Sequence, residues 1–189
     1  MITFIATAYR ETLQASTFIN SLLLQTDDRW KCIVFADGGN DYIKDMIDRI
    51  NDPRISYYAS EKVKGCWGNA NRKHALDWIV DTDFVIPGAS IQDYYIPTAV
   101  EEINKHINNY DFIYYECIHH DKNYELLNTN LRAGEIDWGS FALRTSVAKE
   151  TDITDFCNSL TDGMFVERCF AKHPDLRHIK INKFLFVHN

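Results

Sequence analysis

Positive charge is what this chain has too little of. Twenty Lys plus Arg stand against 27 Asp plus Glu, a formal charge of −7. That is the wrong sign for a protein that coats nucleic acid through its phosphates, so no nucleic-acid partner is expected and any anionic ligand must be met by a local basic pocket. Long apolar runs are also missing: none approaches the ~18 residues of a membrane span. The opening Met1-Ile2-Thr3-Phe4-Ile5-Ala6 has neither the basic flank nor the cleavage site of a secretory leader, which predicts a cytoplasmic protein without a membrane span. Cys32, Cys66, Cys117, Cys157 and Cys169 are odd in number and lie far apart with no C-x-x-C pair. Their spacing argues against a disulfide framework or a zinc site and predicts buried thiols. No linker, repeat or low-complexity stretch supports a second domain.

The 189 residues are 46% hydrophobic, 13% aromatic and 25% charged, enough apolar material for one domain with a sizeable core. Ile2 to Thr7 and Lys31 to Ala36 read as buried strands, and Leu13, Phe18, Ile19, Leu22 and Leu23 between them fall on one helical face. A second helix carries Tyr42, Ile43, Met46, Ile47 and Ile50; a third strand covers Ile55 to Ala59. The next helix runs near Asn69 to Val80, and Phe84-Val85-Ile86 makes a fourth strand closed by Pro87-Gly88. This alternation predicts an α/β fold whose mostly parallel sheet is flanked by helices, with the ligand site beyond the carboxyl ends of the strands. The second half is less regular. A helix around Pro97 to Ile107, a strand from Asp111 to Cys117, a polar excursion from His119 to Asn130, a strand from Trp138 to Arg144, a helix from Thr161 to Lys172 and a last strand at Phe184 to Val187 are expected.

Neither G-x-G-x-x-G nor a P-loop follows the first strand, where Thr7-Ala8-Tyr9-Arg10 stands instead, and Phe35-Ala36-Asp37-Gly38-Gly39 follows the second. These two segments resemble the opening of the family-2 glycosyltransferases of GT-A type. The likeness continues, in order, through Lys64-Gly65-Cys66-Trp67-Gly68-Asn69-Ala70-Asn71-Arg72, Ile91-Gln92-Asp93-Tyr94-Tyr95-Ile96-Pro97, Asp137-Trp138-Gly139-Ser140-Phe141 and Thr161-Asp162-Gly163. It spans about residues 2 to 170. The resemblance implies one Rossmann-like GT-A domain over 1–189, with a nucleotide-binding half to about residue 95 and an acceptor half from about 96. It implies transfer of a hexosyl group from a nucleotide-diphosphate sugar, a UDP-sugar foremost, to a hydroxyl of a glycan or other acceptor, with inversion. The alternative is a sugar-nucleotide or glycan-binding module that has lost catalysis.

Such chemistry needs a base for the acceptor hydroxyl and positive charge for the leaving diphosphate. The resemblance makes Asp162 the catalytic base, with Glu167 more than a helical turn away. It places Thr7, Ala8, Tyr9, Arg10, Asp37, Gly65, Arg72, Ser90 and Gln92 on the donor, Asp37 accepting a hydrogen bond from the base. Arg72 suits phosphate because a guanidinium matches two oxygens at once. Trp138 is expected to stack on an acceptor sugar. At the D-x-D position the chain reads Ser90-Ile91-Gln92-Asp93, which leaves one carboxylate. Asp93 and the late His188 are the candidate ligands for a Mn2+ or Mg2+ ion, and metal dependence is expected to be weak. The basic segment Lys62, Lys64, Arg72 and Lys73 would take the cation's place. His119-His120-Asp121 reads as a polar loop end rather than a metal site.

Overall fold

β-branched and aromatic runs form the central strands, and amphipathic stretches between them form the helices that cover both faces. The computed structural model describes residues 1–10, 13–155 and 157–189. Strands β1 (Ile2–Ala8), β2 (Trp30–Ala36), β3 (Ile55–Ala59) and β4 (Phe84–Ser90) are joined by helices α1 (Ala15–Leu23), α2 (Asp41–Ile50) and α3 (Asn69–Trp78). Then follow β5 (Tyr94–Tyr95), α4 (Ala99–Asn104), β6 (Phe112–His119), β7 (Glu125–Leu127), β8 (Phe141–Arg144), α5 (Thr145–Glu150), α6 (Thr161–Lys172) and β9 (His178–His188).

The sheet order is β3-β2-β1-β4-β8-β6-β9-β5, with β7 paired to β6. β3, β2, β1 and β4 are mutually parallel. Beyond β4 the sheet is mixed: β8 runs antiparallel to β4 and β6, β9 is parallel to β6, and β5 is antiparallel to β9. Because the chain leaves β1 for β2 on one side and returns at β4 on the other, the strand order reverses at β1. In such a sheet the ligand site is expected there, beyond the carboxyl ends. Alternation along β1 feeds two cores: Phe4 and Ala6 join Phe18, Ile19 and Leu22 of α1 on one face, and Ile5 joins Ala75 and Leu76 of α3 with Phe165 and Val166 of α6 on the other.

Several local expectations change. Leu13 precedes α1 and is 77% exposed. β4 does not stop at Pro87; it passes through a register shift against β1 after Phe4–Ile86, an irregularity that accommodates a residue with no N–H. β9 is eleven residues long, and α5 went unforeseen. The segment 137–140 forms a turn before β8 instead of its first residues. Cys66 and Cys157 are joined in a disulfide, while Cys32, Cys117 and Cys169 are buried thiols as expected. The pair is 91 residues apart, so no spacing rule finds it. Among the described residues no helix is long and apolar enough to cross a membrane.

Candidate active site

The carboxyl ends of β1, β2 and β4 bring the first group of predicted residues together. Asp37, just past β2, donates its backbone N–H to the Ala8 carbonyl at 2.7 Å. Its Oδ1 accepts from Lys64 N (2.8 Å), Asn71 Nδ2 (3.0 Å) and Ser60 Oγ (3.2 Å), and its Oδ2 from Gly65 N (2.9 Å). Burial opposes the charge, but these donors outweigh it and hold the carboxyl below its ordinary pKa. Asp37 therefore anchors the loop ahead of α3, and only Oδ2 keeps room for a further donor such as a base N–H.

That loop is unusual in its backbone. Gly65, Cys66, Trp67 and Gly68 all have positive φ, 68°, 49°, 56° and 79°. Two non-glycine residues in succession are held in a conformation that costs an L-residue roughly 1 kcal/mol or more each. The disulfide to Cys157 ties this segment to the loop ahead of α6. A Cβ on Gly68 would lie 2.8 Å from Thr7 Cγ2, so only glycine lets the segment close onto β1. Trp67 is left 69% exposed at the rim.

Arg72, 4% exposed, turns inward from α3. It donates to Thr7 Oγ1 and Asn69 Oδ1, each at 3.1 Å, and to the Trp67 carbonyl, while its guanidinium lies over the Trp138 ring, 5.3 Å from the centroid. Its Nε, deep beside Gly88, has no partner; a Cβ there would come within 2.5 Å of it. Burial lowers the Arg72 pKa to about 10 against the attraction of Asp137, Asp162 and Asp93, so it stays a cation at neutral pH.

Three carboxylates face that cation. Asp93, 1% exposed, accepts from Ser90 N at 2.7 Å and Asn189 N at 3.2 Å. Burial first, and then the neighbouring Asp137 charge, push its pKa well up. Asp137 is fixed by its own turn: Oδ1 accepts from Gly139 N at 2.8 Å, and the Gly139 carbonyl is gripped by the buried Tyr95 and Tyr115 hydroxyls at 3.0 and 2.9 Å. His188 closes the group, its Nδ1 lying 3.4 Å from Asp93 Oδ1 and 3.3 Å from Asp137 Oδ2. Asp162, in the first turn of α6, accepts from Gly163 N at 2.7 Å. Burial and the Asp137 charge raise its pKa to about 7, against the pull of Arg72. A group at that value exchanges protons near neutrality.

Other expected residues lie elsewhere. Lys73 pairs with Asp77 at 2.7 Å and with the Lys149 carbonyl, and Lys62 and Lys64 are exposed on the loop, so the basic segment contributes only Arg72 to this group. Trp138 is 8% exposed, packed on Phe141 and Phe165 with the Arg72 guanidinium over its ring, and so offers no open face for a sugar. Ser90 Oγ accepts from Gln92 N at 3.3 Å, so Ser90 shapes the turn that delivers Asp93. Tyr9 is 41% exposed at the end of β1, with the Arg10 guanidinium 4.8 Å from its ring centroid. Glu167 accepts from Ala133 N at 2.9 Å, away from the carboxylates.

Residues 3–160 match the family model described as Glycosyl transferase family 2. The chain belongs to that family. As a family-2 glycosyltransferase it has the GT-A fold seen in solved relatives. It resembles S. aureus TarS 1-349 at TM-score 0.80 and 15% identity, covering 100% of this chain and 60% of that one. The TarS 1-349 complex with UDP-GlcNAc matches at 0.76 and 15%, over 98% of this chain and 57% of that one. The mannosyltransferase PcManGT from Pyrobaculum calidifontis, in complex with GDP-Man and Mn2+, matches at 0.74 and 14%, over 99% and 56%. The chain thus spans about three fifths of the length of these structures. No curated protein sequence matches it.

The sequence motifs assign Asp137 no role of its own, although it lies against Arg72, Asp93, Asp162 and His188. Its one local signal is the Asp-x-Gly turn that orients its carboxylate. Nothing in the pattern says which distant groups that carboxylate meets.

Proposed function

We propose that the protein transfers a sugar from a nucleotide diphosphate, a UDP-sugar foremost, to a hydroxyl acceptor with inversion. The carrying observation is that Asp162, raised to a pKa of about 7 by burial and the Asp137 charge, lies within the field of the buried Arg72, which is itself hydrogen-bonded to Thr7 at the carboxyl end of β1. TarS, a neighbour in fold, is seen with UDP-GlcNAc, which supports the donor class. Asp162 accepts the acceptor's proton as the acceptor oxygen bonds to the anomeric carbon; the bond from that carbon to the diphosphate breaks, and its electron pair leaves on the diphosphate. Arg72 sets positive potential where that charge collects. Asp37 and the 64–65 amides hold the loop against which the base lies.

The residues present also fit a divalent cation. His188 Nδ1 is buried without a hydrogen-bond partner beside two buried carboxyl groups, a donor set of one nitrogen and two oxygens, both oxygens within 3.4 Å of that nitrogen. Asp93, Asp137 and His188 would hold the ion, whose positive charge, when bound, serves the departing diphosphate. Asp137 then supplies the carboxylate that Ser90 and Gln92 do not, and metal dependence is correspondingly strong rather than weak.

Calorimetric titration of UDP- and GDP-sugars with and without Mn2+, followed by assay of donor hydrolysis, tests the reading. Binding of a nucleotide sugar with slow hydrolysis supports it. Binding without turnover would make the chain a sugar-nucleotide-binding module, and absence of binding would overturn both.

A further inference from the structure

The parallel register of β6 and β9 sets His119 beside His188, and His120 follows directly at the strand end. The three imidazoles stack, with ring centroids 4.3 Å apart for His119 and His188, 5.0 Å for His120 and His188 and 5.4 Å for His119 and His120. One ligand nitrogen from each lies within 4.8 Å of the others. Around an ion with metal–nitrogen bonds of about 2.1 Å, ligand atoms stand roughly 3–4 Å apart, so the nitrogens share one shell once they draw together and the rings turn out of their stack.

We propose that His119, His120 and His188 form a transition-metal site that takes a nitrogen-preferring divalent cation of the Zn2+ or Co2+ class without any nucleotide present. The surrounding carboxylates suit that role. His188 Nδ1 lies against Asp137 and Asp93, and His120 Nε2 is 2.8 Å from Asp121 Oδ1. His120, with Nε2 held by that carboxylate, presents its Nδ1 to a metal. His119 Nε2 faces Asp137 Oδ2 at 3.9 Å while its Nδ1 accepts the Asp121 N–H at 3.2 Å. Ligation through Nε2 moves the ring proton to Nδ1 and gives up that contact, so the 120–122 turn shifts when metal binds. His120 is exposed, which leaves the cluster open to an ion from solution. Three imidazoles favour zinc, cobalt, nickel and copper, whereas Mg2+ prefers oxygen ligands and keeps its water. The expected ion therefore differs in kind from one chosen by carboxylates alone.

The full chain, stripped of metal, is titrated with Co2+ and its visible absorption recorded; Zn2+ and Mg2+ then compete. The wild-type protein should develop the bands of nitrogen-ligated Co2+, lost to Zn2+ at near-equimolar addition and unaffected by Mg2+. His120→Ala, a change at an exposed strand end, and His119→Ala should each weaken Co2+ binding by ~10-fold or more. His74→Ala, on the exposed side of α3, should bind as wild type does. Thermal melts check that each variant is folded. Wild-type affinity in both His119→Ala and His120→Ala, no cobalt bands, or equal competition by Mg2+ would overturn the site. No sugar nucleotide is present in the experiment, so its failure and a failure to bind donor are separate results.

Discussion

The two halves of this sheet are built differently. Residues 2–90 form four parallel strands with crossover helices, and Thr7, Asp37 and Ser90, three of the residues proposed to meet the donor, come from the end of a strand or the loop beside it. Residues 91–189 form a mixed region whose strands return from several directions and deliver Asp93, Asp137, Asp162 and His188 from a turn, a loop, a helix start and a strand end. The regular half positions a ligand by repeating one unit. The irregular half concentrates charge by converging segments that are distant in sequence, and Arg72 is the regular half's answer to it.

Asp162→Asn separates the halves most sharply. Turnover should fall by about 10²–10⁴ while nucleotide affinity stays near wild type, since the donor loop is untouched. Steady-state rates beside calorimetric affinity check this. The pH dependence follows from the same group. A base with a pKa of about 7 must lose its proton to act, so activity should rise through about pH 7. Stability runs the other way. The folded carboxyl keeps a proton that the unfolded chain releases near 3.8, so this contribution is full below about pH 4 and is lost as pH rises to about 7. Urea unfolding across that range should show the decline, and Asp162→Asn should flatten it.

Arg72→Met should cost about 3–5 kcal/mol in urea unfolding, because it leaves buried carboxylates facing one another without their cation. Lys64→Met, exposed on the adjacent loop, should stay within about 0.5 kcal/mol. Similar losses in both would mean that the seam between the halves is not held by Arg72.

The disulfide crosses that seam covalently. Cys157→Ser should cost about 2–4 kcal/mol, and reductant should bring the wild-type protein to the same stability. Equal stability of wild type and variant under non-reducing conditions would show that the thiols are not joined.

The smallest expected effect lies within the regular half. Asp37→Ala should weaken nucleotide binding by about 1–3 kcal/mol and free the 64–65 amides to exchange with solvent, measured by calorimetry and hydrogen exchange. Faster exchange with unchanged affinity would leave Asp37 as a loop anchor only.

The sequence by itself determined the regular half. The strands at Ile2, Lys31 and Ile55, the helices carrying Ile43 and Ala75, and the family to which the ordered motifs belong follow from local periodicity and short segments that each fold in place. The α6 helix is legible for the same reason, since Thr161-Asp162-Gly163 opens a helix with its own apolar face. Tertiary structure decided what those local signals do not carry: the Cys66–Cys157 disulfide, the burial of Trp138, the dispersal of the lysines, and the meeting of Asp93, Asp137 and His188. A carboxylate's role depends on which charges stand within a few ångströms, and neighbours 44 and 51 residues away are set by sheet register and turn geometry rather than by any pattern along the chain.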